Sequence, residues 1–117
     1  MSGVLTNEVD AVGEVVIPSV INYGDLTIGI STNGSSPALS KYTRKKIEQF
    51  ITTSYASMAR LQKEMREHYK QTVSDQEQRK KLLWMLLENE EIWLALSEDY
   101  NQALKIAHQV KIDQRLF

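Results

Sequence analysis

The sequence predicts an α+β protein that is mainly α: short β-strands forming a hairpin, followed by helices to the end of the chain. Three observations carry that expectation. All five glycines and both prolines lie at or before Pro37, so turn chemistry is confined to the first third of the 117 residues. Leu26, Ile28 and Ile30 alternate with Thr27, Gly29 and Ser31, the period-2 pattern of a half-buried strand. Beyond Pro37 the apolar residues recur at helical spacing, as in Tyr55, Met58, Leu61, Met65 and Tyr69. The border falls in residues 26–50, which read as a strand, a small polar loop and a helix opening on proline. Two parts are therefore expected, residues 1–36 with the strands and residues 37–117 with the helices.

Taken in order, Met1-Ser2-Gly3 reads as a chain start and Val4 to Val9 as a short strand stopped by Asp10. Residues 15–21 are β-branched and apolar apart from Pro18 and Ser19, and Pro18, lacking an amide donor, belongs on an edge or at a bulge. Asn22-Tyr23-Gly24-Asp25 is turn chemistry, so residues 15–21 pair with residues 26–31 as a hairpin. A few strands with no partner layer cannot bury both faces and must lean on something else. Ser31 to Ser36 is small and polar throughout. Pro37 suits the first helical position, where its missing amide costs nothing, and Ser36 is then the N-cap.

Leu39, Tyr42, Ile47, Phe50 and Ile51 give the next segment its helical period, with a break expected at Thr52-Thr53-Ser54. The following helix ends near Thr72-Val73-Ser74, and Ser74 with Glu77 has the form of a capping box for its successor. Residues 82–87 and 92–96 are apolar on every side, which suits a core or a subunit interface rather than a lone surface helix. Asn89 interrupts them, and Ser97 with Asp99 can cap a last helix through Tyr100, Leu104, Ala107 and Val110.

Bulk properties exclude several classes. No apolar run approaches the ~20 residues of a membrane-spanning helix, and no basic segment precedes an apolar core at the N-terminus. With no cysteine there are no disulfides, thiolate metal sites or cysteine nucleophiles, which fits a cytoplasmic location. Residues 1–36 hold four acids and no Lys or Arg; the remaining 81 residues hold all 14 basic side chains against 11 acids. The net charge of −1 lacks the dominant basic face of a nucleic-acid binder.

The loop before Pro37 is the leading candidate site. A helix N-terminus offers unpaired amides and partial positive charge, and Lys41, Arg44, Lys45 and Lys46 add cations within two turns. Lys41, Arg44 and Lys45 share one face, which suits a carboxylate-rich or phosphate-bearing ligand; the competing reading is an ordinary capped helix with a solvated basic face. Asp10 closes a strand, where α/β proteins place catalytic groups, although a single Asp there also serves as plain turn chemistry. His68 and His108 stand isolated in the sequence, with no companion at metal-ligand spacing, so no metal site is expected. The Trp84 and Trp93 region reads as core or dimer interface. Gly24, Gly29 and Gly34 are too widely spaced for a dinucleotide fingerprint.

Asn7-Glu8-Val9-Asp10, Ile17-Pro18-Ser19-Val20, Leu26-Thr27-Ile28 and the run from Ile30 through Ser31-Thr32-Asn33-Gly34-Ser35-Ser36-Pro37-Ala38 to Leu39 together resemble the precorrin-2 dehydrogenase/sirohydrochlorin ferrochelatase family of siroheme synthesis. The basic helix around Tyr42-Thr43-Arg44-Lys45-Lys46-Ile47-Glu48 and the stretch Glu77-Gln78-Arg79-Lys80 before an aromatic-rich helix extend the likeness. The resemblance implies the C-terminal part of such an enzyme. Residues 1–36 would be the terminal strands of a truncated Rossmann-type nucleotide-binding domain, and residues 37–117 a helical dimerisation and substrate-cleft domain. It implies NAD in the intact enzyme but none bound by this chain alone, a homodimer, a tetrapyrrole substrate, and possible complementation by a separate NAD-binding half. Asp10 takes the place of the family's acid/base residue, with Ser31, Thr32, Asn33, Ser35 and Ser36 lining the cleft and Lys41, Arg44 and Lys45 near the substrate carboxylates. The rival reading is a non-catalytic helical dimerisation or scaffold module.

Overall fold

A computed structural model describes residues 19–112. The strand expected at residues 4–9, Asp10 and the opening of the next strand lie outside the described residues. Within them the order is β1 (Ser19–Tyr23), β2 (Leu26–Ile30), α1 (Pro37–Phe50), α2 (Ser54–Thr72), α3 (Gln76–Leu87), α4 (Glu90–Leu96) and α5 (Tyr100–Gln109). The mainly helical reading with one hairpin is what the structure shows. The described residues divide into two compact units: 19–23 with 27–52, and 53–112, with which the turn residues 24–26 are grouped.

In the first unit β1 and β2 form a two-stranded sheet. Gly24 opens its two-residue turn at φ 63°, where a side chain would be strained, and Asp25 stays at negative φ, as the II′ turn of a hairpin requires. Ile21 and Tyr23 are buried while Val20 and Asn22 are exposed, the alternation expected of a strand with one covered face. Thr27 Oγ1 donates to Asn22 Oδ1 across the strands at 3.0 Å. β1 packs against α1. The helical spacing of Leu39, Tyr42 and Phe50 does not mark a face buried within this chain: all three are exposed, and Ser40 is the buried residue of α1.

The second unit is a bundle of four helices. Met58, Leu61, Met65 and Tyr69 form one stripe along α2 and meet Leu82 and Leu86 of α3, Ile92, Ala95 and Leu96 of α4, and Ala103 and Ala107 of α5. Alanines on α5 let that helix approach closely. Half-buried side chains add specific ties: Trp93 Nε1 donates to Leu87 O at 2.7 Å, and Gln62 Nε2 donates to Leu83 O at 3.0 Å. Arg79 donates to Val73 O at 2.7 Å and Ser74 O at 3.1 Å, fixing the link that ends α2.

Each short helix begins at a side-chain cap. Asn89 accepts from the Ile92 amide and Asp99 from the Asn101 amide, as their positions suggest. The capping box on Ser74 does not form. Asp75 is the N-cap of α3, accepting from the Glu77 amide at 3.1 Å, and Glu77 instead pairs with Lys80 at 3.4 Å. Asp competes well with Ser for this role because its carboxylate also favours the positive end of the helix. Much of the all-round apolar stretch is consumed by the chain's own core, through Leu82, Leu86, Ile92, Ala95 and Leu96, while Trp84 and Leu94 remain exposed.

Candidate functional site

The loop joining β2 to α1 is held by its own hydroxyls. Asn33 and Gly34 both have positive φ, 54° and 81°, and the Ser35 amide donates to Thr32 O at 3.1 Å. This is a type I′ turn with the Asn-Gly pair that tolerates it best. Thr32 Oγ1 accepts from the Ser36 amide at 3.1 Å and donates to Ser36 O at 3.2 Å, so one hydroxyl fastens both ends of the turn. Ser35 Oγ donates to Thr32 O at 2.8 Å, and Ser31 Oγ accepts from the Asn33 amide at 3.0 Å. Ser36 adopts extended backbone and its Oγ accepts from the Leu39 amide at 3.0 Å, the N-cap the sequence suggests. Pro37 follows within the first turn.

These contacts sort the candidate residues. Thr32 spends its hydroxyl on both backbone groups of Ser36, and Ser36 uses its oxygen to cap the helix, so they position the loop. Ser31 Oγ and Ser35 Oγ each engage one loop group and keep capacity for a second hydrogen bond, since a hydroxyl can both donate and accept. Asn33 is exposed at the tip, with its side chain outside the loop's internal bonds.

The cations occupy a defined side of α1. At 100° per residue, Lys41, Arg44 and Lys45 fall on one face, whereas Leu39, Tyr42, Lys46 and Phe50 fall roughly opposite. Arg44 Nε pairs with Glu48 Oε2 at 3.4 Å, one turn along the same face. Lys46 Nζ lies 5.3 Å from the centre of the Tyr42 ring. Lys41 and Lys45 are exposed and have no ion-pair partner among the described residues. The loop and this face together offer two uncommitted ammonium groups, one shared guanidinium and several small polar groups, a set matched to a ligand with several carboxylates. Asp10 lies outside the described residues.

Among the described residues no glycine-rich turn of the dinucleotide-binding kind opens a helix: Gly24 serves the hairpin turn, Gly29 sits inside β2 and Gly34 serves the Asn-Gly turn. Among the described residues no group of three or more His, Asp or Glu side chains is arranged to hold a metal ion, and no helix is long and apolar enough to cross a membrane.

Comparison with known proteins places this arrangement. Residues 24–49, which run from the hairpin turn through the loop and nearly all of α1, match the family model described as Sirohaem biosynthesis protein central. The chain is 53% identical over 107 residues to the precorrin-2 dehydrogenase of Methanosarcina barkeri, a match covering 92% of this chain and 48% of that protein. It is 32% identical over 103 residues to the siroheme synthase of Thioalkalivibrio sulfidiphilus, covering 86% of this chain and 21% of that one. The solved structure of SirC, a precorrin-2 dehydrogenase, shares the fold with a TM-score of 0.65 at 20% identity, covering 94% of this chain and 52% of that chain. The chain thus spans about half the length, or less, of the relatives it matches. Sequence likeness across nearly the whole chain, centred on the loop and the helix it caps, carries the conclusion: this chain belongs to the precorrin-2 dehydrogenase family of siroheme biosynthesis.

Proposed function

We propose that this chain is the C-terminal portion of a siroheme-biosynthesis enzyme that oxidises precorrin-2 to sirohydrochlorin with NAD, and that it supplies one wall of the tetrapyrrole cleft and the dimer interface. The observation that carries this reading is the 53% identity to a precorrin-2 dehydrogenase over 92% of the chain. Lys41, Arg44 and Lys45 attract the acetate and propionate groups of the macrocycle, while Asn33, Ser31 and Ser35 line its approach. Thr32 and Ser36 hold that lining in shape. Asp10 acts as the acid/base carboxylate: a carboxylate in such a cleft accepts protons from the substrate as oxidation proceeds, or pyrrole protons if iron enters. Dinucleotide binding requires a glycine-rich half that these 117 residues do not contain, so no step through NAD is assigned to them. The chain alone is expected to be inactive, and the assembled enzyme to work as a cytoplasmic homodimer.

The test is complementation. Precorrin-2 and NAD are incubated with this chain, with a separately expressed Rossmann half from a family member, and with both. Sirohydrochlorin formed only in the combined sample supports the proposal, and its loss in Asp10→Asn assigns the carboxylate. Absence of any tetrapyrrole binding by this chain would instead favour a non-catalytic scaffold.

A further inference from the structure

His68 and His108 are forty positions apart and look unrelated in the sequence, yet α2 and α5 bring their rings together. The ring centroids are 4.6 Å apart and the planes are inclined at 78°. The backbone beneath them is well fixed: each follows or adjoins core residues, with Met65 and Tyr69 on α2 and Ala103 and Ala107 on α5 all buried in the same cluster. His68 is half-buried and His108 exposed, so the pair opens to solvent. Neither imidazole has a hydrogen-bond partner among the described residues.

We infer that His68 and His108 form an interhelical two-imidazole site for a late divalent transition-metal ion, with water completing the coordination. The separation is the supporting magnitude. With metal–nitrogen bonds of about 2.0–2.1 Å and a ring nitrogen about 1.1 Å from its centroid, two imidazoles bound cis to one ion have centroids roughly 4.5–5.2 Å apart. The observed 4.6 Å lies within that range, so the two rings are already as close as a shared ion requires, and rotation about the side-chain bonds would turn one nitrogen of each toward it. Imidazole is a preferred ligand of copper, nickel and zinc, and copper(II) heads the divalent affinity order. With two protein ligands the site is an open one, able to take up and release its ion.

The probe is copper(II) added to the tag-free full chain, followed by competition titration and by electron paramagnetic resonance. One equivalent is expected to bind with hyperfine structure from two nitrogens. His68→Ala and His108→Ala are each expected to weaken that equivalent roughly a hundredfold, the scale lost when a second tethered contact is removed. His108 is exposed, so His108→Ala keeps the fold, and circular dichroism verifies this for both variants. Failure to bind one equivalent, or equal binding by both variants and the parent, overturns the assignment.

Discussion

Replacing Lys41, Arg44 and Lys45 together by alanine tests the cleft reading most directly, because the three cations differ in how available they are. Lys41 and Lys45 have no partner among the described residues, whereas Arg44 is already drawn to Glu48 at 3.4 Å. An exposed ion pair contributes up to about 1 kcal/mol, so each free lysine facing a substrate carboxylate is expected to contribute roughly threefold in affinity. Arg44 contributes less, since part of its attraction is satisfied before ligand arrives. The triple variant is therefore expected to bind a polycarboxylate tetrapyrrole such as uroporphyrin about tenfold to thirtyfold more weakly. The loss shrinks as salt is raised, because exposed charges are screened over a Debye length of ~10 Å at 0.1 M. Glu48→Gln releases Arg44 and acts in the opposite direction, tightening binding by up to about threefold. Titration followed by the Soret absorbance, at two ionic strengths, reads all of these. Equal affinity for the triple variant and the parent would refute the placement of substrate carboxylates on this face.

Tyr69 is buried and its hydroxyl has no hydrogen-bond partner among the described residues, so Tyr69→Phe is expected to leave stability equal or raise it by about 1 kcal/mol, as read by urea unfolding. Tyr100 donates its hydroxyl to Glu64 at 2.9 Å beneath the Arg60 guanidinium, and desolvation first, then the hydrogen bond and charge of Glu64, push its pKa up to about 12. The folded state thus favours the protonated phenol: this contribution to stability is whole below pH 10 and is lost as pH rises through about 12. Phenolate absorbance should show Tyr100 titrating late, moved part of the way back toward 10 by Glu64→Gln, whereas Tyr69, raised by burial alone, does not respond to that change. Trp84 and Leu94 remain exposed after the core is filled, so Trp84→Ser with Leu94→Ser is expected to shift a dimer toward monomer by light scattering if that unit forms the interface, and Phe50→Ser to do so if α1 does.

The parts of this fold that were legible in the sequence are those set by local rules. The N-caps at Ser36 and Asp99, the interruption at Asn89, the break before Ser54 and the hairpin turn on Gly24 follow from backbone donors and allowed dihedrals, which neighbouring residues determine. The capping box expected on Ser74 gave way to Asp75, one position on, which is the N-cap of α3. Period alone also could not say which apolar stripe is covered. Leu39, Tyr42 and Phe50 recur on a helix as well as Met58, Leu61 and Met65 do, yet the first set is exposed and the second buried in the helical core. The His68–His108 neighbourhood was invisible for a related reason: it depends on the crossing of α2 and α5, a tertiary fact that spacing does not encode.

The loop between β2 and α1 shows how the same residues serve shape and recognition. An Asn-Gly turn followed directly by a proline-led helix leaves little freedom, and Thr32 removes most of what remains by bonding both the amide and the carbonyl of Ser36. Substrate contact is therefore not needed to account for the hydroxyls in the run from Ser31 to Ser36, since each of the four bonds a group of the loop or of the helix end. What geometry does not explain is the pair of exposed, unpartnered lysines on the turn of helix that follows, next to a helix N-terminus with few acids nearby. Concentrated positive charge on a folded surface carries a self-repulsion, which among the described residues the Arg44–Glu48 pair relieves only in part. A polyanionic ligand would relieve it further, which supports the proposal that Lys41 and Lys45 recognise substrate while the serines and threonine hold the surface in shape.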